Sequence, residues 1–308
     1  MNPTIDVRTV TGALTSADAA HAHAIAERAE QRDSVAPLSE QAVAAIDGQA
    51  HHLFTDHGYA NILVPSGGVP MIELAVDPEH RNHREGATLL AASLRAALKL
   101  GEHAPQVWAH GDLPCSAGLA GSLDLRRVRE LLQLRRPLPG GGHTGIPELP
   151  ELPAHEGIVL RTYAGPADDA EILRVNNEAF SWHPEQGGWD ITEITARTGA
   201  DWFDPGGLFL AFDAGDGERL LGFHWTKVHP GAAQSGGDLG EVYIVGVDPD
   251  AQGRGLGGLL TLAGLRHLAF DRGLDEVELY VEGDNTAALA TYRRLGFERW
   301  AVDVAYAL

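Results

Sequence analysis

Apolar and polar positions in the second half of the chain fall into strand-length runs separated by helix-length ones. "IVLRTYA" (158–164) reads as a strand and Ala167 to Phe180 as a helix. After the loop "SWHPEQGGW", two strands, "GLFLAFD" (207–213) and "RLLGFHWTKV" (219–228), are joined through the turn-forming "AGDGE". A strand at 241–247 then leads through a glycine-dense loop into a helix from about Leu256 to Asp271. The pattern closes with a strand "EVELYVE" (276–282), a short helix "NTAALATYRRLG" (285–296) and a last strand "ERWAVDVAYAL".

The first half repeats this pattern in a worn form. "ELAVDPEHRNHREGATLL" (73–90) aligns without gaps on "IVGVDPDAQGRGLGGLLT" (244–261), sharing Val-Asp-Pro and pairing Gly86 with Gly257. A helix to about Leu100 and a strand "QVWAH" (106–110) follow, and "SLDLRRVRELLQLRRPL" resembles "RRLGFERWAVDVAYAL". The shared element order predicts an internal duplication. Between the copies, residues 137–157 ("PLPGGGHTGIPELPELPAHEG") carry no period and five prolines, which predicts a linker. The expected domains are therefore 1–136 and 158–308.

Composition narrows the partners. The 308 residues carry 43 acids against 23 bases, a formal charge of −20. Such a surface does not suit nucleic acid, whose binding rests on Lys and Arg neutralising phosphates; taken alone it reads as an acidic soluble surface, and it would suit a cationic small substrate. Cys115 is the single cysteine, so intrachain disulfides and thiolate metal clusters are excluded. No metal-ligand spacing occurs among the fifteen histidines, and no metal is expected. The absence of a long apolar run or a secretory h-region predicts a cytoplasmic protein without membrane contact, expected as a monomer. Lysine is confined to Lys99 and Lys227; His224 and His229, flanking the latter, read as strand and turn residues.

The glycine loop is the chemical centre. Gly253, Gly255 and Gly258 fit the dinucleotide spacing G-x-G-x-x-G, with the acid Glu282 ending the next strand. That reading fails because "DPDAQ" separates strand from glycines, because Glu282 lies 29 residues beyond Gly253, and because 26 residues after it cannot complete a doubly wound domain. A Walker loop lacks its Gly-Lys-Ser/Thr. What remains is Gln-x-x-Gly-x-Gly at Gln252, Gly255 and Gly257, followed by "NTAALATYRRLGF" (285–297). Together these resemble motifs of the GCN5-related N-acetyltransferases. Helix N-termini bind phosphate without lysine, and glycines permit close backbone approach. Gly246, inside a strand, suggests a bulge.

The resemblance implies an α/β fold (an α+β mixed sheet) in two tandem acetyltransferase domains, with acetyl-CoA as co-substrate. Longer stretches, among them "VAPLSEQ" (35–41), "LLGFHWTKVHP" (220–230), "LGEVYIVGVDP" (239–249) and "LYVEGDN" (279–285), are similar to the mycothiol synthases. That family implies acetylation of the cysteinyl amine of cysteinyl-glucosaminyl-inositol. By the same resemblance Glu40, Glu185, Lys227, Glu241 and Tyr280 would contact the acceptor, with Glu241 as base and Tyr292 as acid. CoA would meet Val245, Gly246 and Val247, whose last N–H would face the thioester oxygen. It would also meet Gln252, Gly253, Arg254, Gly255, Leu256, Gly257 and Gly258, and Asn285, Thr286, Ala287, Ala288, Leu289 and Ala290. In the first copy the contacts would be Leu74, Ala75 and Val76, then Asn82, His83, Arg84, Glu85, Gly86 and Ala87. There Arg81 and Arg84 replace Gln252 and Gly255, and Ala120 stands where Tyr292 does, so the first copy is expected to be inactive. Two alternatives stay open: acetylation of another amine, such as an aminoglycoside or a protein N-terminus, and acyl-CoA binding without catalysis.

Overall fold

The computed structural model describes residues 5–65, 68–139, 146, 148–181, 187–233 and 235–308. In chain order the elements are β1 (Arg8–Gly12), α1 (Ser16–Asp33), α2 (Glu40–Ile46), β2 (Ala50–Phe54), β3 (Gly58–Leu63), β4 (Met71–Val76), α3 (Glu85–Ala97), β5 (Gln106–His110), α4 (Pro114–Gly121) and β6 (Arg126–Pro137). They continue with β7 (Ile158–Thr162), α5 (Asp169–Ala179), α6 (Ile191–Thr198), β8 (Leu208–Asp213), β9 (Leu220–His229), β10 (Leu239–Val247), α7 (Leu256–Arg266), β11 (Glu276–Glu282), α8 (Thr286–Arg294) and β12 (Glu298–Ala307). Two compact units result: residues 1–131 with 301–308, and residues 132–300.

In the first unit β1 to β4 form an antiparallel meander, β5 joins β4 in parallel, and residues 303–306 of β12 pair antiparallel with β5. In the second unit β7 to β10 form the meander and β11 joins β10 in parallel. The units thus repeat one plan, as the internal similarity predicts. They differ from the expected boundaries in two respects: the C-terminal part of the last strand of each half falls in the other unit, and residues 137–157, expected as a linker, belong to the second unit. β6 carries its residues from Leu132 onward into the second unit, and β12 carries residues 301–307 into the first.

Packing explains the elements. Along α5, Ile172, Val175 and Asn176 recur at helical spacing and are buried, and the two apolar residues sit with Leu208, Leu210, Phe223, Trp225 and Ile244 in one core. α7 is apolar on nearly every side and is buried accordingly, from Leu256 and Leu259 to Leu265. The proline-rich stretch after β6 forms neither α-helix nor strand among its described residues, yet it is not loose. Leu138 and Leu149 are buried in the core with Leu265 and Phe297, and Leu138 N–H donates to the Asp275 carbonyl at 2.7 Å.

The shared Val-Asp-Pro has a structural reason. Asp248 and Asp77, both buried, each accept the backbone N–H two residues on and so fix the turn leaving β10 or β4. Each also holds an arginine, Arg174 at 3.0 Å from Asp248 and Arg28 at 2.8 Å from Asp77. Beyond that turn lies the other shared device. β10 pairs with β11 only at Gly240–Val277 and Glu241–Glu278, although both strands run on. β4 likewise pairs with β5 only at Met71–Gln106 and Ile72–Val107. Each parallel pair opens into a V beyond its first two residues.

Gly246 does not sit at the expected bulge. The register shift of β10 against β9 falls between Val242 and Ile244, whereas Gly246 is paired regularly with Phe223. A Cβ at Gly246 would lie 2.6 Å from the Phe223 ring, so the glycine is required by packing.

Candidate active site

The loop after β10 is shaped by two left-handed residues, Gly253 (φ 78°) and Gly255 (φ 80°), conformations costly for any residue with a Cβ. Gly255 is also the N-cap of α7 and offers no side chain to cap it. The first N–H groups of α7 are therefore left to an outside acceptor, which is what an anion-binding helix terminus needs. Arg254 is exposed on this loop, and its carbonyl accepts from His155 Nε2 at 2.7 Å. Asn285 caps α8, its Oδ1 accepting from Ala288 N–H at 3.1 Å, so that oxygen is already engaged. Asp248 N–H donates to the Leu221 carbonyl. Because successive N–H groups alternate between strand edges, that of Val247 points to the edge opened towards β11.

At the closed end of the same V, strand register gathers polar side chains. Glu241 lies opposite Lys227 on β9 and beside Glu278 on β11. Glu241 is 9% exposed and its Oε2 is 2.7 Å from His229 Nε2. The bond from Glu241 holds the His229 ring above its ordinary protonation range. Glu278 is buried, which pushes its carboxyl upward despite contacts of 2.7 Å from both Arg135 and Gln133. Gln133 also donates to the Tyr280 hydroxyl at 3.1 Å; Tyr280 itself is 45% exposed. The Lys227 ammonium stands 5.2 Å from the Trp202 ring and 5.4 Å from that of Tyr243. The structure therefore brings Lys227, Glu241 and Tyr280 into one neighbourhood. Glu40 stands exposed in the first turn of α2, in the first unit, and Glu185 lies outside the described residues.

Tyr292 is buried in an apolar cluster, edge-on to Phe297 at 5.8 Å, and burial pushes its phenol up to about 12. Sequence reasoning gives His229, Glu278, Gln133 and Arg135 no functional role. The first reads as a turn residue before Pro230, and only the β9–β10 register places it against Glu241.

The first unit keeps the loop without the glycines. Asn82 (φ 64°) and Arg84 (φ 71°) adopt the left-handed conformation at the positions aligned with Gly253 and Gly255. Arg84 is the N-cap of α3, again with no side-chain cap. Arg81 is occupied by a two-pronged ion pair with Asp33, at 2.8 and 2.7 Å. Leu74, Ala75, Val76, Asn82, Arg84, Gly86 and Ala87 line a cavity of about 480 Å³, whereas His83 and Glu85 do not. His110, also on its wall, lies between Glu73 (3.1 Å) and Asp303 (3.0 Å). Burial alone would lower its protonation range, but the two carboxylates outweigh that and raise it to about 10.

The equivalence of Ala120 with Tyr292 holds at the backbone. Leu123 and Leu125 N–H donate to the Ala120 carbonyl as Leu295 and Phe297 N–H donate to that of Tyr292, and left-handed Asp124 takes the place of Gly296. Among the described residues no group of three or more potential metal ligands is assembled, and no helix is long and apolar enough to cross a membrane.

Comparison with known proteins agrees with this geometry. Residues 172–297 match the acetyltransferase (GNAT) family. Solved structures of similar fold include a GCN5-related N-acetyltransferase from Sphaerobacter thermophilus (TM-score 0.73, 23% identity, covering 98% of this chain and 96% of that one). A tandem GNAT protein from the clavulanic acid pathway is also similar (TM-score 0.68, 17% identity, 98% of each chain). In sequence, the chain is 59% identical to the mycothiol acetyltransferase of Gordonia bronchialis over 97% of its length and 94% of the relative's. It is 53% identical to that of Rhodococcus erythropolis (96% and 98%) and 50% identical to that of Mycolicibacterium smegmatis (96% of each). A tandem fold, an uncapped glycine loop beside an opened strand pair and full-length identity of this order agree: the chain belongs to the mycothiol acetyltransferase family.

Proposed function

We propose that the second unit transfers acetyl from acetyl-CoA to the cysteinyl amine of cysteinyl-glucosaminyl-inositol, giving mycothiol and CoA in the final step of mycothiol synthesis. The observation that carries the chemistry is Glu241, a nearly buried carboxylate at the closed end of the β10–β11 opening. The acceptor is taken from the relatives' activity, and the surplus of acids suits its ammonium.

Amine acetylation requires an unprotonated amine, so Glu241 takes one proton from the cysteinyl ammonium and frees the nitrogen lone pair. The Val247 N–H donates to the carbonyl oxygen as negative charge builds there, a role supported by its alternation with the Asp248 N–H along β10. Val245, Gly246 and the uncapped start of α7 (Leu256, Gly257, Gly258) form the binding wall and anion cradle, with Gln252 and Asn285–Ala290 flanking it. Tyr292 keeps its proton at any neutral pH and offers it to the departing sulfur. Complete transfer would run uphill, since a thiol titrates near ~8.5 and this phenol at about 12. As the nitrogen bonds to the carbonyl carbon and the C–S bond breaks, CoA leaves as a thiolate hydrogen-bonded by the Tyr292 hydroxyl, and the nitrogen sheds its second proton to solvent, which neutralises the thiolate. Lys227 and Tyr280 bind the acceptor's polar groups, and the resemblance to the family adds Glu185 to them.

The first unit binds CoA but does not transfer acetyl. Its retained loop conformation and cavity support binding, and Ala120, which has no proton to give, supports silence. Calorimetry checks this: two acetyl-CoA per chain are expected, and one would remove CoA from the first unit.

The direct test is CoA release, detected by chromatography because the acceptor itself bears a thiol, with and without cysteinyl-glucosaminyl-inositol. Acceptor-dependent release with one acetyl on the amine is expected. Turnover on other amines but not on this one would overturn the acceptor.

A further inference from the structure

Glu241 is the residue on which the proposed chemistry rests, and its carboxylate is not free to turn. One oxygen, Oε2, is tied to His229 Nε2 at 2.7 Å, a short charge-assisted contact. His229 ends β9, where it is paired with Leu239, two residues from Lys227, which is paired with Glu241. Its side chain is 24% exposed against 12% for that of Glu241, so the ring is the more solvent-facing member of the pair.

We propose that His229 is a positioning residue for the base: its Nε2–H fixes which oxygen of Glu241 is left for the acceptor amine, and its protonation state sets how strongly that oxygen attracts a proton. This inference rests on the reading of Glu241 as base. With the ring charged, the carboxylate faces a cation and is a weak base. With the ring neutral but still donating through Nε2, the carboxylate keeps its orientation and becomes a stronger one. The charged groups around the ring are Glu241 on β10, Lys227 on its own strand and Glu278 on β11, the last itself paired with Arg135. Glu241 favours the charged ring most strongly, by its hydrogen bond; Glu278 adds to this and Lys227 opposes it. The ring accordingly loses its proton above the ordinary histidine range, and the carboxylate strengthens as pH rises through that point. The acid limb of the rate then belongs to the Glu241–His229 pair, not to the carboxylate alone.

Substitution separates geometry from charge. In H229Q the amide N–H can still donate to Glu241 but cannot titrate. Its kcat at alkaline pH should fall no more than about 10-fold, while the acid limb of kcat/KM moves to lower pH, leaving the ratio of rates at pH 6 and pH 8.5 much flatter than in the parent. H229F removes the donor, and kcat should fall about 10²-fold with the KM for acetyl-CoA little changed. Acetyl-CoA binding by calorimetry confirms that each variant is folded. An H229Q profile superimposable on the parent's would overturn the proposal even if H229F is slow, since a purely structural histidine would leave the limb in place. E241Q tells the two readings apart: retained turnover there dismisses Glu241 as base, whereas lost turnover with an unmoved H229Q limb dismisses only His229.

Discussion

At the position of the proposed acid, one side chain separates the two units. Ala120 and Tyr292 accept equivalent pairs of backbone bonds at the ends of corresponding helices, α4 and α8, yet only the second carries a hydroxyl. Tyr292→Phe should lower kcat by about 10²-fold while leaving acetyl-CoA binding intact, measured by steady-state kinetics and calorimetry. Glu241→Gln should lower turnover by about 10²–10⁴-fold; unchanged turnover would remove it from the base's role. His110 makes a different prediction, about stability. Its range is raised to about 10 by Asp303 and Glu73 acting against burial. The stabilisation is therefore complete below its ordinary value of ~6.5 and is lost as pH rises through about 10. His110→Gln should cost about 3–5 kcal/mol at neutral pH, and denaturant midpoints of parent and variant should converge above pH 10. Glu241 and Tyr292 can be named as candidates from sequence because they stand at fixed places around a recognisable loop. The partnership of Glu241 with His229 was not, because twelve residues and a turn separate them and only pairing register joins them.

At the level of elements, the loop conformation is conserved between the units more faithfully than its residues. Glycine supplies the left-handed dihedrals in the second unit, while asparagine and arginine supply them in the first. Asparagine tolerates that region, but Arg84 carries a penalty of about 1–2 kcal/mol. Arg84→Gly should therefore stabilise the first unit by up to that amount in thermal melts. Gly255→Val should raise the KM for acetyl-CoA and lower stability by about 1–3 kcal/mol. Most elements of the second unit were readable from period and turn chemistry. α6 was not, since "ITEITART" has a single buried residue, Ile194, and little pattern to betray it. Gly246 was read as a bulge because sequence shows an interrupted strand but not the Phe223 ring that forbids a side chain there.

Across the whole chain, the duplication was visible in Val-Asp-Pro and the glycine that follows, and the structure supplies the reason in Asp77 and Asp248, which fix the turn in both units. The exchange of terminal strands was not visible, because "RRVRELLQLRRP" and "ERWAVDVAYA" are equally good strands wherever they pair. A fragment of residues 1–136, cut where the proline-rich stretch suggests, lacks both the partner of β5 and the Asp303 that holds His110. It should expose an open strand edge and self-associate, as sedimentation and amide exchange would show.

The same exchange sets a timetable for biosynthesis. The 169 residues from Leu132 to Trp300 are made between the first unit's main body and its closing strand. At roughly 5–20 residues per second, a nascent chain carries an unfinished sheet for on the order of ten to thirty seconds. Ribosome-bound chaperones that cover exposed strand edges should therefore matter more to this protein's yield than to that of an enzyme whose domains close in the order they emerge.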